Sequence, residues 1–371
     1  MLVWQLVAYL GLLLSIVALS GCTTFARKET TGVIIARRAQ VRSSTAVVAA
    51  DLTEILRGDV VDILESTTME NNERWLRVRL RDTENTEGWI EERNVMPQEV
   101  LDRSRQLAEE DKDVPVQATG QLRANTNLRY SPERNSSENI LLKLDSGTNF
   151  DIVGWKRVSK TKSTENPESD DTSKDGVGKP ESAKGRRDRG NDKETNEATE
   201  LWYKVRLRPS ESPAPAGWVF GKQVELTVPS DIIFYRTGRE FVAWQRLDET
   251  DAAKQLAPKG KDAAVETQPG SWVILEKSSA EDSNKLNAPD FDRIFVLGYD
   301  KSRQEHYTAY RSPDVSGQLP MRVAIDGNNK MFSIRVESDG RSNNIRFKVT
   351  RDPRGLIKVE AQDEIPKVND R

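Results

Sequence analysis

One cysteine, Cys22, and one histidine, His306, supply all the thiol and imidazole in 371 residues. A lone thiol excludes an internal disulfide and a cysteine-based metal site. A lone imidazole leaves a zinc hydrolase short of its usual two or three histidine ligands, so no metal and no cofactor are expected. A thiolate–imidazole catalytic pair has only Cys22 and His306 to draw on. Phosphate-cradling glycine loops are missing, as is a Gly-x-Ser-x-Gly elbow or a Ser-x-x-Lys run in a fitting context. Asp and Glu abound, so counting does not exclude paired-carboxylate glycosidase chemistry, but abundance is no sign of a site. Charge of one sign is lacking too: 56 basic residues stand against 59 acidic ones. Nucleic acid is therefore not an expected partner. Apolar residues reach only 36%, against about 45–50% in ordinary globular domains. Part of the chain is expected to stay unfolded, because low hydrophobicity does not offset ordering entropy.

No charged side chain precedes Arg27, and Leu6 to Leu19 are almost wholly apolar. That run is short for a spanning helix, which takes about 20 apolar residues. It fits the apolar core of a secretory signal closed by small residues. Leu19-Ser20-Gly21-Cys22 resembles the processing box of bacterial lipoprotein precursors. The resemblance implies cleavage before Cys22, a diacylglycerol on its thiol and an N-acyl chain on its new amine. Two or more acyl chains anchor stably where one is marginal, at about 0.8 kcal/mol per buried methylene. The expected product is lipid-anchored in the cell envelope, facing the periplasm or exterior. By the family's sorting rule, Thr23 directs it to the outer membrane if the host has two. Residues 1–21 are then signal peptide and 22–31 a polar tether.

A repeat follows. Val41-Arg42-Ser43 aligns with Leu128-Arg129-Tyr130, Gly58 with Gly147, and Ile63-Leu64 with Ile152-Val153. Trp75 to Leu80 aligns with Trp202 to Leu207, and Gly88-Trp89-Ile90 with Gly217-Trp218-Val219. Each unit reads as four or five short strands with period-2 alternation between polar turns. Leu76, Val78 and Leu80 face one side, and Trp75, Arg77 and Arg79 the other. The pattern resembles the bacterial SH3-like domain, which places one copy at 32–96 and another at 120–227. The resemblance implies small barrels that bind peptidoglycan peptides or partner proteins. Gly88 and Gly217 are expected at turns, with Trp89 and Trp218 filling each barrel. Trp75 and Trp202 open a strand and are expected half exposed. Together with Tyr130 and Tyr203 they are the candidate ligand-binding aromatics, since aromatic grooves suit extended peptides.

Residues 159–200 interrupt the second copy with Val177, Ala183 and Ala198 as the only apolar side chains up to Ala198. This stretch is expected to be a disordered excursion. Its Arg186, Arg187 and Arg189 are interleaved with carboxylates, which leaves little net pull on a polyanion. Residues 97–119 form a partly helical linker, with Pro97 suited to the first turn and Leu101, Arg105 and Ala108 on one face, with Leu107 at its margin. Residues 228–362 carry eight or nine alternating runs at roughly ten-residue spacing, the signature of an antiparallel sandwich or barrel. Residues 248–270 break that meander, with a helical turn at Asp251–Leu256. His306 is expected at a surface or sheet edge, and residues 363–371 are a tail. The predicted fold is mainly β, and the predicted role is a membrane-anchored binding or scaffolding protein. The alternative is an envelope enzyme with a carboxylate site in 228–361.

Overall fold

The computed structural model describes residues 30–159, 199–248, 269–278, 286, 288–326, 329–338 and 340–366. The signal segment, Cys22, most of the tether, residues 160–198 of the excursion and the turn at Asp251–Leu256 lie outside them, while Ser159, Thr199 and Glu200, expected to be disordered, are paired strand ends because the strands flanking the excursion extend that far. The chain divides into two compact units, Met1–Asp102 and Arg103–Arg371. The protein is mainly β, with one α-helix among the described residues and none long and apolar enough to cross a membrane.

The first unit holds β1 (Thr30–Ile34), β2 (Arg38–Arg42), β3 (Asp51–Leu56), β4 (Val60–Thr68), β5 (Arg74–Leu80), β6 (Glu87–Glu91) and β7 (Val95–Pro97). They form one antiparallel sheet in the order β3-β2-β6-β5-β4-β1-β7. The second unit opens with β8 (Ala118–Leu122), β9 (Thr126–Arg129), β10 (Ile140–Leu144), β11 (Asn149–Ser159), β12 (Thr199–Arg206), β13 (Ala216–Phe220) and β14 (Val224–Leu226). Their order, β10-β9-β13-β12-β11-β8-β14, is the same strand for strand. Alternation predicts four or five strands per copy. Seven are present because very short segments such as β7 and β14 also pair.

The copies agree in fine detail. Gly58 and Gly147 both take left-handed backbone, φ 93° and 77°, which a side chain would strain. A bulge falls between Ile63 and Glu65 in β4 and between Ile152 and Gly154 in β11. Such bulges bend a strand and add twist, which helps a small sheet curl over its own core. In the first copy that core is Ile34, Val41, Ile55, Val61, Leu76, Val78, Leu80, Ile90 and neighbours.

Gly88 and Gly217 are strand residues rather than the turn glycines expected from sequence. A Cβ on Gly88 would lie 2.5 Å from Val41 Cγ1 and 2.8 Å from the Arg42 carbonyl oxygen. On Gly217 it would lie 2.5 Å from Leu128 Cγ. The glycines are needed because β2 crosses closely over β6, and β9 over β13.

The helix α1 spans Gln98–Glu110, and Pro97 ends β7 instead of opening the helix. Its buried positions are Leu101, Ser104 and Leu107, while Arg105 is exposed. The buried face is thus rotated from Leu101, Arg105 and Ala108, because Ser104 has a partner inside. Its hydroxyl donates to the Ala216 carbonyl at 2.6 Å and accepts the Ala216 N–H at 3.0 Å. Within the second unit this clasp fixes the helix on β13.

The remainder is two antiparallel meanders. β15 (Arg239–Arg246), β16 (Trp272–Ser278), β17 (Arg293–Asp300) and β18 (Glu305–Arg311) form one sheet, and β19 (Gly317–Asp326), β20 (Asn329–Ser338), β21 (Arg341–Arg351) and β22 (Ile357–Ala361) the other. Alternate residues of both meet in one core: Val273 and Leu275, Ile294 and Val296, Phe332, Ile334 and Val336, Ile345, Phe347 and Val349. Phe332 stacks on Phe347 with centroids 4.5 Å apart. Of the expected sandwich or barrel, the sandwich is present.

Gly88→Ala and Gly217→Ala test the close crossing. Overpacking of this kind costs about 1–3 kcal/mol. Each variant should lower the denaturant midpoint of the full chain, whereas Gly154→Ala, with nothing within 4 Å of its Cβ position, should not do so through a clash.

Candidate binding site

The repeated tryptophans do not divide as the sequence predicts. Trp75 and Trp202 are 5% and 1% exposed, whereas Trp89 and Trp218 are half-buried. Strand parity explains Trp89 and Trp218. Gly88 and Ile90 point inward, as do Gly217 and Val219, so the tryptophan between them points out. Ile90 and Val219, both 0% exposed, fill the interior instead. Trp75 lies on the outward row of β5 as expected, yet it is covered. The Arg42 guanidinium sits 5.8 Å from its ring centroid. Trp202 packs 5.5 Å from Phe220, its cross-strand partner. Among the described residues, the indole N–H groups of Trp75 and Trp202 have no hydrogen-bond partner.

Directly paired residues on adjacent strands share a face. Trp89 is paired with Arg77 on one side and Arg42 on the other. Trp218 is paired with Lys204 and Arg129 in the same way. Each copy therefore presents a tryptophan between two cations. Lys204 Nζ lies 5.9 Å from the Trp218 ring centroid and also 3.1 Å from Glu110 Oε2. Tyr130 is half-buried on the same copy.

Tyr203 belongs elsewhere. It lines a cavity of about 440 Å³ between the second repeat and the sandwich, with Trp155, Arg157, Phe241, Lys277 and Asp290. Trp155 meets the Tyr203 ring edge-on at 6.0 Å. Trp155 Nε1 donates to Asp290 Oδ1 at 2.6 Å, and Arg157 Nη1 donates to the same oxygen at 3.1 Å. Asp290 Oδ2 accepts the Leu319 N–H at 3.0 Å. Lys277 Nζ donates to the Pro289 carbonyl at 2.8 Å. Burial, then the nearby Arg157 cation, lowers the Lys277 amine to about 8. Burial, reinforced by Glu240, pushes the Tyr203 hydroxyl up to about 12.

Sequence reading grouped Tyr203 with the groove aromatics of the repeats and singled out none of Trp155, Arg157, Lys277 or Asp290. A signal existed for two of them. The shared bulge aligns Trp155 with Ser66 and Arg157 with Thr68, a small polar pair replaced by a large aromatic and a cation.

His306 does lie on an edge strand, β18, but its side chain is only 6% exposed. Its Nε2 donates to the Gly270 carbonyl at 2.8 Å and lies 3.7 Å from Asp231 Oδ2. The Tyr235 and Tyr299 rings cover it, with centroids at 5.3 and 5.0 Å. Asp231 Oδ2 in turn accepts Trp272 Nε1 at 2.8 Å and the Gly270 N–H at 3.1 Å. In the sandwich, Glu276 is 1% exposed, and burial raises its carboxyl against the pull of Arg311, Arg293 and Arg239. Among the described residues no group of three or more His, Cys, Asp or Glu is placed to hold a metal.

No protein-family model matches the chain, and no curated protein matches its sequence. Among solved structures, NlpC2 from Trichomonas vaginalis is similar at 8% identity, covering 90% of this chain and 92% of that one, with a TM-score of 0.16. NlpC1 from Trichomonas vaginalis is similar at 10% identity over 79% and 92%, with a TM-score of 0.15. Likeness at these TM-scores carries no argument about fold or activity.

Alanine variants separate the covered from the outward rings. Trp202→Ala should cost about 3–5 kcal/mol, and Trp218→Ala under about 2 kcal/mol, since its ring is only partly buried. Circular dichroism melts of the full chain decide it, and equal losses would refute the assignment.

Proposed function

We propose that this chain is a membrane-anchored binding or scaffolding protein of the cell envelope, held by lipid on Cys22. Its two repeats take peptides bearing carboxylates, such as those of peptidoglycan, or envelope proteins, on their outward tryptophan faces. The observation that carries this reading is the tryptophan set between two cations at equivalent positions of two identically ordered sheets. A partly exposed indole gives a peptide flat apolar area, beside Arg42 and Arg77, which are ion-paired to Asp51 and Glu87, in the first copy and beside the buried Arg129 and Lys204 in the second. Two such faces on one chain raise avidity through effective concentration without any new contact. The SH3-like resemblance of both copies and the lipoprotein processing box at Leu19–Cys22 support the same reading.

Two measurements test it. Cys22→Ala should abolish incorporation of labelled palmitate and leave an unprocessed precursor; labelling that persists would refute the anchor. In sedimentation with purified peptidoglycan, Trp89→Ala and Trp218→Ala should each reduce retention several-fold. The double variant should lose most of it while remaining folded. Undiminished retention by the folded double variant would refute the tryptophan faces.

A further inference from the structure

The connection from β2 to β3 in the first unit, residues 43–50, reads Ser-Ser-Thr-Ala-Val-Val-Ala-Ala and carries no charge. Val47 and Val48 at its tip are 93% and 94% exposed, so the fold itself draws almost nothing from them. We propose that this loop is an apolar knob that dips into a lipid bilayer at the boundary of headgroups and acyl chains, seating the first repeat on the membrane. The proposal deepens the anchored reading above and rests on the lipid at Cys22.

The knob is held in shape by its own hydrogen bonds. Arg42 Nη2 donates to the Val47 carbonyl at 2.8 Å and to the Ala49 carbonyl at 3.3 Å. The Ser43 N–H donates to the Ala50 carbonyl at 2.9 Å, and the Ala49 N–H to the Ala46 carbonyl at 3.0 Å. The Ala46 N–H donates to the Ser44 hydroxyl at 3.3 Å. Backbone polar groups left unpaired in lipid are costly, and these bonds answer that requirement at the carbonyls of Ala46, Val47, Ala49 and Ala50. Arg42 is balanced by Asp51, 3.6 Å away. The charges that flank the knob are thus an ion pair, and the tip between them is wholly apolar.

Two observations make lipid the occupant. The first is reach. The eight residues from Cys22 to Thr30, where β1 begins, span at most about 29 Å even fully extended. Acyl chains on Cys22 therefore keep the first repeat beside the bilayer at high effective concentration, where a small apolar contact suffices. Two valines at a loop tip suit shallow entry, roughly 5–10 Å deep. The second observation is the other copy. The two sheets share one strand order, so the connection from β9 to β10, residues 130–139, is the counterpart of the knob. It carries Glu133, Arg134 and Glu138, all exposed. Only the copy next to the anchor has an uncharged apolar tip, whereas a ligand common to the repeats would call for it in both.

The test puts an environment-sensitive thiol dye on the knob of the full acylated chain in vesicles of phosphatidylethanolamine and phosphatidylglycerol. Val48→Cys supplies the thiol, because the diacylglycerol blocks Cys22. Its emission should shift to the blue on vesicles. Doxyl groups near the headgroup end of the acyl chains should quench it more than doxyl groups near the tail end. The same dye on Glu133→Cys should keep its emission in water, because that loop is charged. Adding Val47→Asp to the labelled chain should cut the quenched fraction at least about fivefold, since a carboxylate resists entry into lipid. The melting temperature should not change, because Val47 is exposed. Dye uptake by the native chain would reveal an unblocked Cys22 and overturn the anchor, and this proposal with it. A native chain that refuses the dye, while the label at position 48 stays unshifted and unquenched, would overturn the knob alone. A blue shift that grows with the protein-to-lipid ratio and ignores doxyl lipid would mean that a second copy covers the valines, and would also overturn it. So would undiminished quenching in the folded chain carrying Val47→Asp.

Discussion

Asp290 is the constraint on which the larger unit depends. Its two oxygens take the Trp155 indole and the Arg157 guanidinium from β11 and the Leu319 amide from β19. One carboxylate thus fixes the second repeat against both sheets of the sandwich, since β17 begins three residues after it. Arg157 at 11% exposure would otherwise be a buried cation without its counter-charge, and breaking such a pair typically costs about 3–5 kcal/mol. A second strut lies at Gln117, fully buried before β8. It donates to the Met321 carbonyl at 3.0 Å and accepts the Met321 N–H at 2.7 Å, while its own carbonyl takes the Trp244 N–H at 2.8 Å. Directional polar bonds of this kind specify one geometry where apolar contact alone tolerates sliding.

The same struts explain why a cavity survives at the junction. Protein interiors normally close to crystal-like density, and an apolar seam between the two bodies would collapse in that way. Here Trp155 is held by its indole nitrogen at one end and by the edge of Tyr203 at the other. Lys277 is tied back to the Pro289 carbonyl. The rings and the ammonium are therefore fixed around the space rather than filling it. What lines the space is consequently a mixture of charged and aromatic side chains held by their own hydrogen bonds.

How much of this was legible in the sequence depended on whether a residue's role is set within its own strand. The duplication was legible because Gly58 and Gly147 meet a local need for left-handed backbone, while Gly88 and Gly217 and the Trp-x-x-Val strands meet the same strand-to-strand packing in each copy. The sandwich was legible in β20 and β21, where inward and outward residues alternate cleanly. β16 showed no alternation because both of its faces are covered: Trp272, Ile274 and Glu276 are buried along with Val273 and Leu275. The tryptophans failed for a different reason. Size argued that Trp89 and Trp218 should fill the barrel, but parity beside an inward glycine turns them out, and cover by Arg42 or Phe220 buries the pair expected to be exposed. The cavity was not legible as a site, because Arg157, Lys277 and Asp290 come from three distant segments with no spacing to connect them.

Duplication followed by divergence links these observations into one account. Two sheets of identical strand order share a bulge at the same register, and that bulge aims the next residues of β4 and β11 the same way. In β4 those residues are Ser66 and Thr68, which ask nothing of a neighbour. In β11 they are Trp155 and Arg157, which require a carboxylate and an aromatic edge, and the second unit provides both in Asp290 and Tyr203. The outward tryptophan between two cations, by contrast, is kept in both copies. A feature held at equivalent positions in both repeats points to a task the repeats share, whereas one built in a single copy points to a task created where that copy meets the sandwich. On that physical distinction the two surfaces are separate: the tryptophan faces recur in both copies, whereas the cavity is lined by residues that only the second copy and the sandwich supply.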